Sequence, residues 1–158
     1  MTAVGRLGWV QVDSVDPVGL ARFWSAVLGR PIGESYGDPP RYVGLVPPAA
    51  EEPVVSFHRV PEAKTGKNRL HLDLAVDDID RASQQVVDLG GRRSPVDDFA
   101  EFGFHWRVMT DPEGNEFCLI YAAPASGRVR DRCPATRSAT GASSARTGAT
   151  AASRRTFA

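Results

Sequence analysis

Two stretches of this chain repeat one order of elements, and that duplication constrains the fold more than any other feature. Residues 7–13, Leu-Gly-Trp-Val-Gln-Val-Asp, alternate as a strand does. Asp16-Pro17 then offers a helix N-cap with proline at the first helical position. Leu20, Phe23, Trp24, Val27 and Leu28 recur at helical spacing as one apolar stripe, and Gly29 supplies a C-cap. Strands are predicted over 30–35, 41–46 and 53–59, divided by Gly37-Asp38-Pro39-Pro40 and Pro47-Pro48. The order restarts with Leu70-His71-Leu72-Asp73-Leu74-Ala75-Val76, which alternates strictly. Asp77 or Asp78 can cap a helix carrying Ile79, Ala82, Val86 and Leu89, which Gly90-Gly91 ends. Further strands are predicted over 91–95, 104–110 and 116–122, the last two joined by the turn Asp111-Pro112-Glu113-Gly114-Asn115. Gly29 and Gly90 lie 61 positions apart and close equivalent helices. Only two copies are present, so the pattern reads as a duplicated strand–helix–strand–strand–strand module and not as a solenoid.

The length of 158 residues suits one domain, or two small units sharing a core, and 42% hydrophobic residues can build that core. Two cysteines, Cys118 and Cys133, make neither a disulfide framework nor a four-cysteine zinc site. No apolar run approaches the roughly 20 residues that span a bilayer. Met1–Arg6 carries no signal-peptide apolar region, so a cytoplasmic protein is expected. The formal net charge of zero hides an asymmetry: residues 1–123 hold 12 Lys+Arg against 18 Asp+Glu, a balance of −6. Residues 124–158 hold seven arginines against Asp131, a balance of +6, with Val129 and Phe157 their only large apolar side chains. Such a segment cannot offset about 1–2 kcal/mol of backbone entropy per ordered residue. The expectation is a body over 1–123, its modules at about 6–60 and 69–123, followed by a disordered basic tail. The tail lacks interleaved aromatics, so nucleic acid is not an expected partner.

Within the body, Asp16-Pro17 with Phe23-Trp24-Ser25-Ala26-Val27-Leu28-Gly29, Val60-Pro61-Glu62 with Lys67-Asn68-Arg69-Leu70-His71-Leu72-Asp73-Leu74, and Asp111-Pro112-Glu113-Gly114-Asn115-Glu116-Phe117 form a recognisable set. On these residues the body resembles the vicinal oxygen chelate superfamily, in its glyoxalase-like branch. The resemblance implies an α+β fold: two βαβββ modules forming a curved, eight-stranded mixed sheet around a cavity, with helices outside. It does not transfer a reaction, because the superfamily includes isomerases, dioxygenases, thiol transferases and proteins that only bind a drug.

The resemblance also implies a metal site of four ligands, His or Gln and Glu, on the first and fourth strands of each module. In this chain those positions fall on Trp9, on Ser56 or His58, on His71 and on Cys118. Indole offers only an N–H donor and cannot ligate. His58, His71 and Cys118 remain as candidates for a divalent ion, whether zinc, iron, manganese or nickel. The alternative makes Cys118 a small buried hydrophobe and His58 a hydrogen-bonded strand residue.

Asp73 shares a strand face with His71, about 6.5–7 Å along the backbone. It is either the acid–base partner of that imidazole or one half of a plain cross-strand ion pair with Arg69 or Arg107. His71 and Asp73 are the expected catalytic residues. Trp9, Gln11, His58, Trp106 and Cys118 are the expected ligand-binding residues, an aromatic set that favours a flat or apolar ligand. The sequence contains no nucleophile elbow, phosphate loop or dinucleotide fingerprint.

Two functions follow. One is a binder of an apolar or aromatic compound, similar to the drug-resistance members, with its metal site degraded. The other is a lyase, isomerase or dioxygenase-type enzyme that uses His71 with or without a metal. The expected partners are a small molecule and, beside the monomer, a second copy of the chain; no membrane partner is expected. Limited proteolysis of the full chain is expected to remove residues 126–158 and leave a body that keeps its circular dichroism. Loss of that signal on cleavage would make the tail structural.

Overall fold

The computed structural model describes residues 3–101 and 103–121, so the basic segment 124–158 and the boundary expected near 123 lie outside the described residues. The first module runs β1 (Trp9–Ser14), α1 (Pro17–Leu28), β2 (Ile32–Tyr36), β3 (Tyr42–Leu45) and β4 (Val54–Arg59). The second runs β5 (Asp73–Val76), α2 (Ile79–Asp88), β6 (Arg92–Arg93), β7 (Phe99–Glu101), β8 (Phe104–Thr110) and β9 (Glu116–Tyr121). Both helices begin as their sequences dictate. Asp16 accepts from Gly19 N–H at 3.2 Å, and Asp78 accepts from Asp80 and Arg81 N–H, which identifies Asp78 as the cap of α2. Gly29 ends α1 in the left-handed region at φ 64°.

The sheets are ordered β1-β4-β3-β2 and β5-β9-β8-β6, with β7 also on β8. In each module the first strand runs parallel to the last. Gln11 pairs with Ser56 and Asp73 with Cys118, so equivalent first- and fourth-strand positions lie 62 residues apart. That is one more than the glycine spacing, because the path from strand to closing glycine is one residue shorter in the second module.

Three features differ from the sequence reading. The strand expected over 91–95 is only Arg92–Arg93, and a further strand, Phe99–Glu101, pairs with the other end of the same β8 edge. Pro95, which has no N–H to give to the ladder, lies in the break. The strand expected from residue 70 starts at Asp73, leaving His71 on irregular backbone just before it. Among the described residues the eight expected strands divide between two sheets, with no ladder joining β1 to β5.

One core serves both modules. Leu20, Phe23 and Trp24 of α1 join Val55 and Phe57 of β4, and also Phe117 of β9. The Trp24 and Phe117 rings lie 4.9 Å apart. Trp24 Nε1–H donates to Asp111 Oδ2 at 3.2 Å, tying helix to turn. Glu113, in that turn, accepts from Ser14 Oγ–H at 2.7 Å, Asp16 N–H at 2.9 Å and Val15 N–H at 3.1 Å. On the second module, Gly91 lets α2 close down on β8: a Cβ there would stand 2.8 Å from Thr110 O and 2.6 Å from Val86 Cγ1.

Arg107 does not pair with Asp73. It lies on the helix side of β8, almost fully buried, and binds Asp80 at 2.9 Å and both carboxylate oxygens of Asp98. Hydrogen bonding to Arg107 holds the Asp98 carboxyl below its ordinary range. Removing the three bonds to the start of α1 leaves the module joint open, so Glu113→Ala should destabilise the fold by about 2 kcal/mol in urea unfolding. Pro112→Ala, on the exposed side of the turn, should leave stability within about 0.5 kcal/mol.

Candidate functional site

Alternation along β1 sends Val10, Val12 and Ser14 to the helix side and Trp9, Gln11 and Asp13 to the opposite face. Trp9 is 66% exposed there. Gln11 Oε1 accepts from Ser56 Oγ–H at 3.4 Å across the β1–β4 ladder. His58, two residues further on, faces Asp13: its Nδ1 lies 3.3 Å from Asp13 Oδ1, and its ring stacks 4.4 Å from that of Tyr42. Among the described residues, the buried Nε2 of His58 has no hydrogen-bond partner. Trp106 on β8 stacks on Phe99 of β7, 5.2 Å between centroids.

The second module gathers chemically stronger groups. His71 Nδ1–H donates to Asp73 Oδ1 at 2.9 Å, and Cys118 Sγ lies 3.9 Å from the same nitrogen. Donor atoms of His71, Asp73 and Cys118 all lie within 4.8 Å of one another. An ionised carboxylate can only accept, so Nδ1 keeps its proton in that bond and Nε2 is the nitrogen of the half-exposed imidazole left for another partner. Cys118 is 7% exposed. Burial pushes its thiol up to about 11, and the Asp73 charge adds to the shift. No imidazole lone pair faces the sulfur, so this is not an activated Cys–His nucleophile.

The spacing of 62 resolves the position the sequence left between two residues: Ser56, not His58, is the equivalent of Cys118. The first module therefore presents Trp9, Gln11 and Ser56 where the second presents His71, Asp73 and Cys118. Of the four expected metal positions, Trp9 has no lone pair, the Ser56 hydroxyl is turned to Gln11, and Cys118 offers a thiol in place of a carboxylate. The residues present do not fit a four-ligand His/Glu metal centre. His58 lies with Asp13 and Tyr42, while the grouped donors are His71, Asp73 and Cys118.

A cavity of about 540 Å³ opens between the modules. Val10, Val12, Leu72 and Phe117 form its apolar walls, and Gln11 and His71 bring polar atoms from the two modules. The segment 60–69 that joins the modules covers it with Val60, Glu62, Ala63, Lys64 and Asn68. Sequence reasoning missed this segment as a wall; its only signal was the Val60-Pro61-Glu62 and Lys67-Asn68 pairings within the family-like set. A second cavity, of about 660 Å³, lies between the helices, with Val27, Leu74, Val86 and Leu119 in its walls and Asp73 at its edge.

No curated protein sequence matches the chain. Among solved structures, a glyoxalase/bleomycin resistance protein/dioxygenase family enzyme from Burkholderia phytofirmans PsJN superposes with TM-score 0.62 at 20% identity, covering 75% of this chain and all of that one. The fosfomycin resistance protein FosX from Mesorhizobium loti superposes with TM-score 0.57 at 17% identity, covering 78% and 96%. TioX from Micromonospora sp. ML1 gives TM-score 0.51 at 16% identity, covering 75% and 100%. At these identities the likeness concerns the fold. The sequence itself matches the glyoxalase-like domain profile over residues 9–120, and on that match the chain belongs to the glyoxalase-like family of the vicinal oxygen chelate superfamily.

Proposed function

We propose that this protein binds a small molecule with a flat apolar or aromatic body in the cavity between its modules, without the metal of its relatives. The observation that carries the reading is that cavity: about 540 Å³, apolar over most of its wall, with residues of both modules lining it and His71 among them. That volume suits a ligand of drug-like size. His71 Nε2 supplies the hydrogen-bond acceptor, and Val10, Val12, Leu72 and Phe117 supply the apolar surface; Trp9, expected to bind the ligand, is exposed on the other face of β1 and does not line the cavity. The family includes resistance proteins and enzymes alike, and FosX is named for resistance to a small molecule. The same His71–Asp73 pair could take up a proton, which keeps a lyase or isomerase as the second reading.

A thermal-shift screen of aromatic natural products and small electrophiles tests this. On any hit, His71→Ala should weaken binding by about 1–2 kcal/mol, the loss of one hydrogen bond, Leu72→Ala in the apolar wall should weaken it too, and Trp9→Ala, outside that wall, should leave it unchanged. Turnover abolished by His71→Ala would move the assignment to the enzyme. Metal analysis after dialysis should find less than one ion per chain; a stoichiometric ion lost in Asp73→Ala would replace the metal-free reading. In a Cys133→Ser background, alkylation of Cys118 should be slow at pH 8 and climb steeply only toward pH 11, because the thiol stays protonated below that. Rapid alkylation at pH 8 would show a thiolate and reopen covalent chemistry.

A further inference from the structure

His71 has no strand ladder of its own to hold it. β5 begins two residues later, and the backbone from Pro61 to Leu72 forms neither helix nor strand. Its neighbour Leu72 is pinned on one side, where Leu72 O accepts from Cys118 N–H at 2.9 Å. On the other side the tethers converge on one residue of β9. Glu116 Oε2 accepts from Asn68 N–H at 3.1 Å, and Glu116 O accepts from Asn68 Nδ2–H at 3.4 Å. The same Oε2 also meets Lys64 Nζ at 3.0 Å, and Lys64 in turn donates to Gly66 O at 2.6 Å.

These groups lie against the cavity and not on the open surface: Lys64 and Glu116 side chains are 20% and 24% exposed, and Lys64, Asn68, Glu116 and His71 all line it. Burial pushes the Glu116 carboxyl up, but the Lys64 ammonium and the Asn68 N–H outweigh it, and the group rests below its ordinary value. A charge-assisted carboxylate of this kind is a strong local tether.

We propose that Glu116 is the positioning residue of the His71 site: it latches the 60–69 strap to β9, and by fixing Asn68 sets where the His71 imidazole meets Asp73 and the cavity. The proposal rests on the binding reading for the importance of His71, but not for its geometry. The role proposed for Glu116 is to hold the strap through Lys64 and Asn68. Lys64 closes the strap over the cavity, and Asn68 transmits the anchor to His71 three residues on.

The test uses the ligand-free full chain, so that its failure and a failed ligand screen are separate outcomes. Histidine side-chain ¹H–¹⁵N spectra, with the His71 signals assigned through His71→Ala, report the Nδ1–H tautomer that Asp73 enforces. Glu116→Ala should shift and broaden the His71 signals while those of His58 and His105 stay in place. Glu116→Gln, whose amide oxygen can still accept from Asn68 N–H, should restore most of the wild-type His71 pattern. Tryptic cutting after Lys67 or Arg69, read as fragments split between the modules, should speed up about tenfold in Glu116→Ala, equivalent to about 1.4 kcal/mol of latch opening. If Glu116→Ala fails to fold, Lys64→Met removes the ion pair but leaves the Asn68 bonds, and should raise strap cleavage with the His71 tautomer intact. An unchanged His71 spectrum in folded Glu116→Ala, or unchanged cleavage in Lys64→Met, overturns the latch.

Discussion

The joint between the modules is made by a five-residue turn, and the cavity between them depends on it. Asp111 is fully buried and would be costly there as a bare carboxylate; burial does push its carboxyl up. Four donors answer it: the Asn115 side-chain amide and backbone N–H, the Trp24 indole and the Glu113 N–H. The bonds from Asn115 and Glu113 close the turn, and the bond from Trp24 binds it to the other module's helix. Glu113 then projects to the start of α1, where N–H groups without helical partners sit at the positive end of the helix dipole. One turn thus satisfies its own buried charge and caps the neighbouring module. The cavity lies beside this joint, with Asp111 and Glu113 themselves in its wall.

The duplication supplies a frame, and the two halves have filled it unequally. Gln11 and Ser56 are both neutral, and their mutual hydrogen bond uses the groups that could have faced a ligand or an ion. At the equivalent positions the second module has a carboxylate and a thiol, with an imidazole in place of Trp9. From Gln11 and Asp73 onward the backbone pairs alike in both, so there the difference lies in side chains; two residues earlier Trp9 is in the ladder and His71 is not. A paired module can lose ligating residues on one side without losing the sheet, because the pairing of β1 with β4 uses only backbone groups. The fold is therefore a poor witness to the chemistry.

Much of the fold was legible because its signals are local. The apolar stripe Leu20–Phe23–Trp24–Val27–Leu28 and the caps Asp16 and Gly29 place α1 to the residue. Alternation placed β1, β4, β8 and β9 to within one or two residues. What failed was non-local. Leu70-His71-Leu72 alternates as a strand should, yet its partner strand β9 begins beside it with Glu116, whose side chain binds Asn68 and Lys64 across the approach. Periodicity also cannot name a cross-strand partner: Arg107 looked available to Asp73, but odd and even positions of β8 face opposite ways, and Arg107 belongs to the helix side with Asp80 and Asp98. The grouping of His71, Asp73 and Cys118 was within reach, since two share a strand face and the third follows the Asp-Pro-Glu-Gly-Asn turn. The choice between Ser56 and His58 was not, because prolines and an irregular β2–β3 register obscure the count through the first module.

The placement of His71 off the strand has a chemical consequence. A histidine within β5 would be held by backbone hydrogen bonds to β9, its one neighbour in the sheet, and its backbone would be fixed by that ladder. Here Asp73, the first residue of the strand proper, holds the ring through Nδ1, so the sheet orients the imidazole by its side chain and the 60–69 strap carries its backbone. Nδ1 is committed to the carboxylate, and Nε2 is left to whatever occupies the cavity. The protonated thiol of Cys118 fills the space behind the pair without competing for the proton, since its burial and the Asp73 charge both oppose ionisation. On the proposed binding function, a site built this way would recognise its ligand by one oriented acceptor set in an apolar wall. Its selectivity then comes from the shape of that wall, which the strap completes.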